Sequence, residues 1–179
     1  MRKVLLLLLL CLSTAGWAQT RIDPFPPGMV QLTEGWRYEK GDKPAWAEAQ
    51  FDDSGWQKLA PGRNDGCAPA CWYRLRVQLP PHHAPLAFHL EAPQGVSEVY
   101  VDGRRAGDLH FTPWWLEREP SEHVVAIPGE SGAVVLAIRI HVPRVADDPF
   151  DATRLRASIG SPEMAQWESG LNQEDRLLR

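Results

Sequence analysis

Between residues 72 and 79 the chain alternates strictly. Tyr73, Leu75, Val77 and Leu79 are separated by Trp72, Arg74, Arg76 and Gln78. A period of two puts the first set on one face of a β-strand and the second on the other. The pattern recurs over 86–92, where Leu86, Phe88, Leu90 and Ala92 alternate with Ala87, His89 and Glu91. It runs longest over 134–142, where Val134, Leu136, Ile138, Ile140 and Val142 alternate with Val135, Ala137, Arg139 and His141. Shorter strands are predicted at 35–39, 124–127 and 155–159. Glu98-Val99-Tyr100-Val101 runs into Asp102-Gly103, a dipeptide that suits a tight hairpin, with Arg104-Arg105-Ala106-Gly107 as the returning strand. Residues 19–34 hold Pro24, Pro26 and Pro27 and read as an extended arm, and a short helical turn is expected near 45–48.

The period changes after residue 160. Ser161-Pro162-Glu163 predicts a helix start, with Ser161 as N-cap, Pro162 at the first helical position and an acid in the first turn. Met164, Trp167 and Leu171 would share one helical face. Seven or eight short strands with no interleaved helices predict an all-β, antiparallel sandwich. The organisation expected is residues 1–18 as leader, 19–34 as arm, 35–160 as sandwich and 161–179 as a helix or linker.

The leader reading rests on three parts: Met1-Arg2-Lys3, the leucine-rich run 4–12, and Gly16-Trp17-Ala18 as a cleavage site. An uncleaved anchor is the alternative, but a spanning helix needs roughly 20 apolar residues. Cys11 lies within the leucine run and is expected to leave with it. Cleavage after residue 18 leaves 161 of 179 residues, with 17 basic and 23 acidic side chains and a formal charge of −6. The chain is then expected to be secreted or periplasmic, membrane-tethered if it is a fragment. An acidic chain lacks the basic surface that nucleic acid requires, so no nucleic-acid partner is expected. The length leaves no room for a catalytic barrel of roughly 250 residues. In an oxidising compartment, Cys67 and Cys71 are expected to form a local disulfide; a redox pair or half of a metal site are the sharper readings.

Candidate chemistry is sparse. There is no Gly-x-Ser-x-Gly, no His-Glu-x-x-His and no glycine-rich Lys loop, so no catalytic residue and no cofactor are expected. Asp52-Asp53-Ser54 could form a calcium corner, but such residues more often bond to turn backbone, and no metal is assigned. His82-His83 reads as loop decoration. Thr112-Pro113-Trp114-Trp115 is the sharpest feature: two adjacent indoles on an extended segment cannot both point inward. One is expected to be exposed and able to stack on a sugar ring or a partner. Arg104, Arg105, Arg118, Glu117 and Glu119 could add polar contacts, or simply be a solvated face. Trp56 and Tyr73 are expected to pack in core and rim, and Trp72 lies on the opposite face from Tyr73. The ligand-binding candidates are thus Trp114, Trp115, Arg104, Arg105 and Trp72.

Phe51-Asp52-Asp53-Ser54-Gly55-Trp56, then Trp72-Tyr73-Arg74 and Leu79-Pro80, then Glu98 through Gly103 with Gly107, and finally Val135-Leu136-Ala137-Ile138-Arg139-Ile140 form an ordered series. Over about residues 36–142 it resembles the sugar-binding domain of family 2 glycoside hydrolases, a galactose-binding-like jelly roll. It is also similar to the periplasmic sensor domain of bacterial membrane-bound phosphatase or diguanylate cyclase signalling proteins, in which a helix leads from the sandwich into membrane spans. The resemblance implies a jelly-roll fold and a non-catalytic sensor that binds a carbohydrate or small molecule. The partners it implies are a glycan or small-molecule ligand, and a membrane-embedded signalling region or partner protein reached through the C-terminal helix. The alternatives are a protein-interaction module or the isolated sugar-binding domain of such a hydrolase.

Overall fold

The computed structural model describes residues 19–22, 28–59, 67, 69–80, 85–92, 96–106, 121–128, 132–141, 155–165 and 167. They form two β-sheets packed face to face. The larger has seven strands, in the order β4 (Gln57–Lys58), β3 (Arg37–Lys40), β5 (Ala70–Leu79), β10 (Gly132–His141), β7 (Val96–Val101), β8 (Arg104–Arg105). Its remaining strand, β1 (Thr20–Arg21), pairs with β5 in parallel, Thr20 opposite Val77. The smaller sheet runs β2 (Val30–Gln31), β11 (Arg156–Gly160), β6 (Leu86–Ala92), β9 (Ser121–Ile127). Every pairing except β1 with β5 is antiparallel. The all-β sandwich expected from the pattern is therefore the fold.

Consecutive strands lie mostly in opposite sheets: β5, β7 and β10 in the larger, β6, β9 and β11 in the smaller. That alternation wraps the chain around a single core, the jelly-roll path. Two stretches stay within the larger sheet: β3 through β5, and the β7–β8 hairpin, where Asp102 and Gly103 both take positive φ (49° and 80°), as a tight hairpin turn of that sequence requires. The predicted strands at 72–79, 86–92 and 134–142 correspond to β5, β6 and β10. The arm over 19–34 contributes β1 to one sheet and β2 to the other, and buries Ile22 and Leu32 in the core.

The inter-sheet core takes the alternating apolar set as read from the sequence: Tyr73, Leu75, Val77 and Leu79 meet Phe88, Leu90, Val125 and Ile127, with Leu136, Ile138 and Ile140 beside them. Trp36 and Tyr38 pack on Tyr73, with ring centroids 6.5 and 5.0 Å away. Cys67 and Cys71 are disulfide-bonded and buried, tying the approach to β5 onto its first residues.

The outer face of the larger sheet is also covered. Residues 44–56, beginning with a 3-10 turn at Pro44–Ala47, cross it and bury Trp46 and Trp56 against Trp72 and Ala137. Two arginines of β5 hold this segment down. Arg74 donates to the carbonyls of Trp46 and Glu48, and Arg76 to those of Ala49 and Phe51. On the smaller sheet, Ser161 caps a helical turn over 162–165: its hydroxyl accepts the amide N–H of Met164, and its carbonyl that of Ala165. Ala165 is the helix residue buried against Ala87 and Val124, whereas Trp167 is exposed. Leu171 lies outside the described residues.

Candidate functional site

β5, β10 and β7 bring one row of side chains together on the outer face of the larger sheet. The register sets Trp72 opposite Arg139, and Arg139 opposite Glu98. Odd-numbered positions of β10 before this point, such as Val135 and Ala137, are apolar; Arg139 is the residue that breaks that face. Its guanidinium forms a fork on Asp42, donating from Nε to Oδ1 at 2.8 Å and from an Nη to Oδ2 at 2.6 Å. The other Nη donates to Glu98 at 2.9 Å. Glu98 also accepts the Tyr100 hydroxyl at 2.8 Å and lies 3.3 Å from Arg105. The indole N–H of Trp72 donates to Asp42 at 3.4 Å, and His141 Nε2 lies 3.7 Å from the same carboxylate.

Aromatic rings form the floor. Arg139 sits over the Trp72 ring at 5.9 Å, and Tyr100 packs on Trp72 with centroids 5.5 Å apart. Hydrogen bonds from Arg139 hold the Asp42 carboxyl below the usual carboxylate range against partial desolvation. Burial pushes Glu98 upward, but hydrogen bonds from Arg139 and Tyr100 outweigh it and leave that carboxyl lowered as well. The Arg139 guanidinium is correspondingly held charged, chiefly by Asp42. Burial and the bond to Glu98 push the Tyr100 hydroxyl up.

Of the residues singled out in the sequence, Arg104 and Arg105 lie on the exposed edge strand β8, and Arg105 reaches this network. Trp72 also reaches it but is fully buried beneath Arg139, Tyr100 and Trp46. It supports the surface from below. Trp114, Trp115, Glu117, Arg118, Glu119, His82 and His83 lie outside the described residues. Asp52 accepts the Ser54 amide at 3.0 Å, a local turn bond that lowers its carboxyl. Asp53 is buried 2.9 Å from Arg74 Nε. Both carboxylates of the Asp52-Asp53-Ser54 turn are thus engaged within the protein.

Asp42, Glu98, Tyr100, Arg139 and His141 were not legible as a site. Arg139 and Glu98 occupy outward positions of alternating strands, a signal shared by many solvated residues. Asp42 follows Gly41 in a loop, and only folding brings it to β10.

A sandwich of similar fold is also found as one part of larger glycosidase chains. The fold is similar to part of a β-glucuronidase from Bacteroides uniformis, with TM-score 0.56 and 17% identity over 73% of this chain and 17% of that one. It is similar to part of a β-glycosidase from Bacteroides vulgatus, with TM-score 0.55 and 14% identity over 74% and 20%. A glycosyl hydrolase family 2 member from Bacteroides cellulosilyticus gives 0.54 and 12% over 75% and 21%. The chain thus spans about a fifth of the length of each, and at these identities the likeness is one of fold. No protein-family model matches the chain, and no curated protein matches it in sequence.

Proposed function

We propose that the chain is a non-catalytic, exported carbohydrate- or ligand-binding module that serves as the sensor region of a bacterial membrane signalling protein. The observation that carries this reading is the fold, an all-β sandwich that corresponds to one part of larger glycosidase chains. Binding is assigned to the residues that follow β8 in the chain, where Arg104 and Arg105 precede Trp114 and Trp115. Three carboxylates are unsuited to act as a general acid. Asp42, Glu98 and Asp53 are each engaged by arginine, and Asp42 and Glu98 are lowered, the reverse of the raised carboxyl a general acid needs. The leader-like residues 1–18 and the Cys67–Cys71 disulfide support export. A ligand would act on the helix at Pro162 only by binding two orientations of it with different affinity.

The test is a glycan and metabolite array probed with residues 19–179, followed by Trp114→Ala and Trp115→Ala. Loss of signal in either variant is expected. Unchanged binding in both rejects the tryptophan platform, and no binding by the parent protein rejects the reading. The genomic sequence after codon 179 separates the contexts: membrane spans with a phosphatase or cyclase support the sensor, and a catalytic barrel supports a hydrolase.

A second reading, a protein-interaction module, is favoured by one observation. Trp167 is 59% exposed, while Ala165 takes the contact with the sandwich. Under it, Trp167→Ala reduces self-association or partner capture and leaves any sugar binding intact.

A further inference from the structure

We propose that the Asp42–Arg139–Glu98 network is a binding site for neighbouring hydroxyl groups of an uncharged sugar. The proposal rests on the carbohydrate-binding reading and adds to it contact residues on the outer sheet face, in addition to the tryptophan platform, and the ligand class.

The first argument is a count of acceptor positions. An ionised carboxylate offers about four, two per oxygen. On Asp42, Oδ1 accepts Arg139 Nε and Trp72 Nε1, whereas Oδ2 accepts one Arg139 Nη and lies 3.7 Å from His141 Nε2, beyond hydrogen-bond length. On Glu98, Oε2 accepts Arg139 and Tyr100, whereas among the described residues Oε1 faces Arg105 alone. Each carboxylate therefore keeps an acceptor position on its less-used oxygen. The Tyr100 hydroxyl donates to Glu98 and so leaves its own oxygen able to accept. Sugar hydroxyls supply the matching donors. Arg105, whose side chain is 66% exposed, supplies N–H groups for a hydroxyl oxygen.

The second argument is charge. Asp42 and Glu98 are balanced by Arg139 and Arg105, and the two close ion pairs are made by Arg139, at 2.6 and 2.9 Å. A charged ligand would compete with these pairs for their partners. A neutral polyol uses only the positions they leave over. The third argument is stiffness. The fork on Asp42 and the ring floor of Trp72 and Tyr100 hold the polar atoms in place before a ligand arrives, which lowers the ordering cost of binding. Asp42, Arg139 and His141 retain side-chain exposures of 33%, 21% and 38%, enough to be met from solvent.

The test uses residues 19–179, titrated by calorimetry with D-galactose, D-glucose and D-glucuronate, and with any oligosaccharide bound on the array. Glu98→Gln and Arg139→Lys are expected to weaken binding of the neutral sugar by about tenfold or more, the loss of a hydrogen bond to a charged group. Tyr100→Phe, which keeps the ring packing, is expected to weaken it about threefold to tenfold. Circular dichroism and a urea midpoint check that each variant is folded, and Tyr100→Phe decides the matter if the ion-pair variants are not. Sugar binding unchanged within twofold in the folded variants overturns this site and leaves the carbohydrate-binding reading standing. No sugar binding by the parent protein overturns both. Tighter binding of D-glucuronate than of the neutral sugars overturns the ligand class.

Discussion

Arg74 shows how far a side chain's role depends on what covers it. In the alternating pattern it occupies an outward, polar position, yet it is fully buried, paired with Asp53 and bonded to the carbonyls of Trp46 and Glu48. Arg74→Met leaves Asp53 buried without its closest partner and is expected to cost about 3–5 kcal/mol by urea unfolding. Adding Asp53→Asn should recover part of that loss. Asp42 and Glu98 make a separate prediction, about pH. Both have lowered carboxyls in the folded protein, so their contribution to stability is complete above the unfolded values, at about pH 4 to 4.5. It is lost as pH falls through the lower folded values. Urea midpoints should therefore hold steady from pH 7 to 5 and drop below about pH 4, with a shallower drop in Arg139→Gln.

At the scale of elements, two short features can be tested directly. The β7–β8 hairpin turns at Gly103, whose φ is +80°, and a Cβ there would lie 3.3 Å from the backbone nitrogen of Ala49. Gly103→Ala is expected to cost about 1 kcal/mol or more, because both the backbone angle and the space oppose it. The Cys67–Cys71 disulfide closes a loop so short that the chain-entropy model assigns it about 2 kcal/mol. The Cys67→Ala/Cys71→Ala double variant should lower the unfolding free energy from urea titration by that amount, and adding reductant should not lower the variant further. The long strands β5, β6 and β10 were legible because one face of each meets the inter-sheet core, so hydrophobicity alternates. The hairpin was legible because few dipeptides tolerate two positive φ values. β1, β2 and β4 are two residues each, too short to carry a period.

For the whole molecule, the arm matters more than its proline-rich sequence suggests. β1 pairs with the later part of β5, and Ile22 is buried in the core, its N–H donating to the carbonyl of Gln78. A chain starting after residue 27 is expected to lose about 1.5–3 kcal/mol with Ile22 and to expose part of the β5 edge. Lower thermal stability and greater self-association in light scattering would show it. By itself the sequence determined which residues alternate, where the hairpin turns, where a helix can start and which cysteines are close enough to bond, because each depends on neighbours a few residues apart. Tertiary structure alone decided that residues 44–56 would cover the outward face of β5, that Trp72 would lie beneath Arg139, and that Asp42 would meet a guanidinium 97 residues away. Such contacts depend on the order in which strands enter the two sheets, and no local period encodes that order.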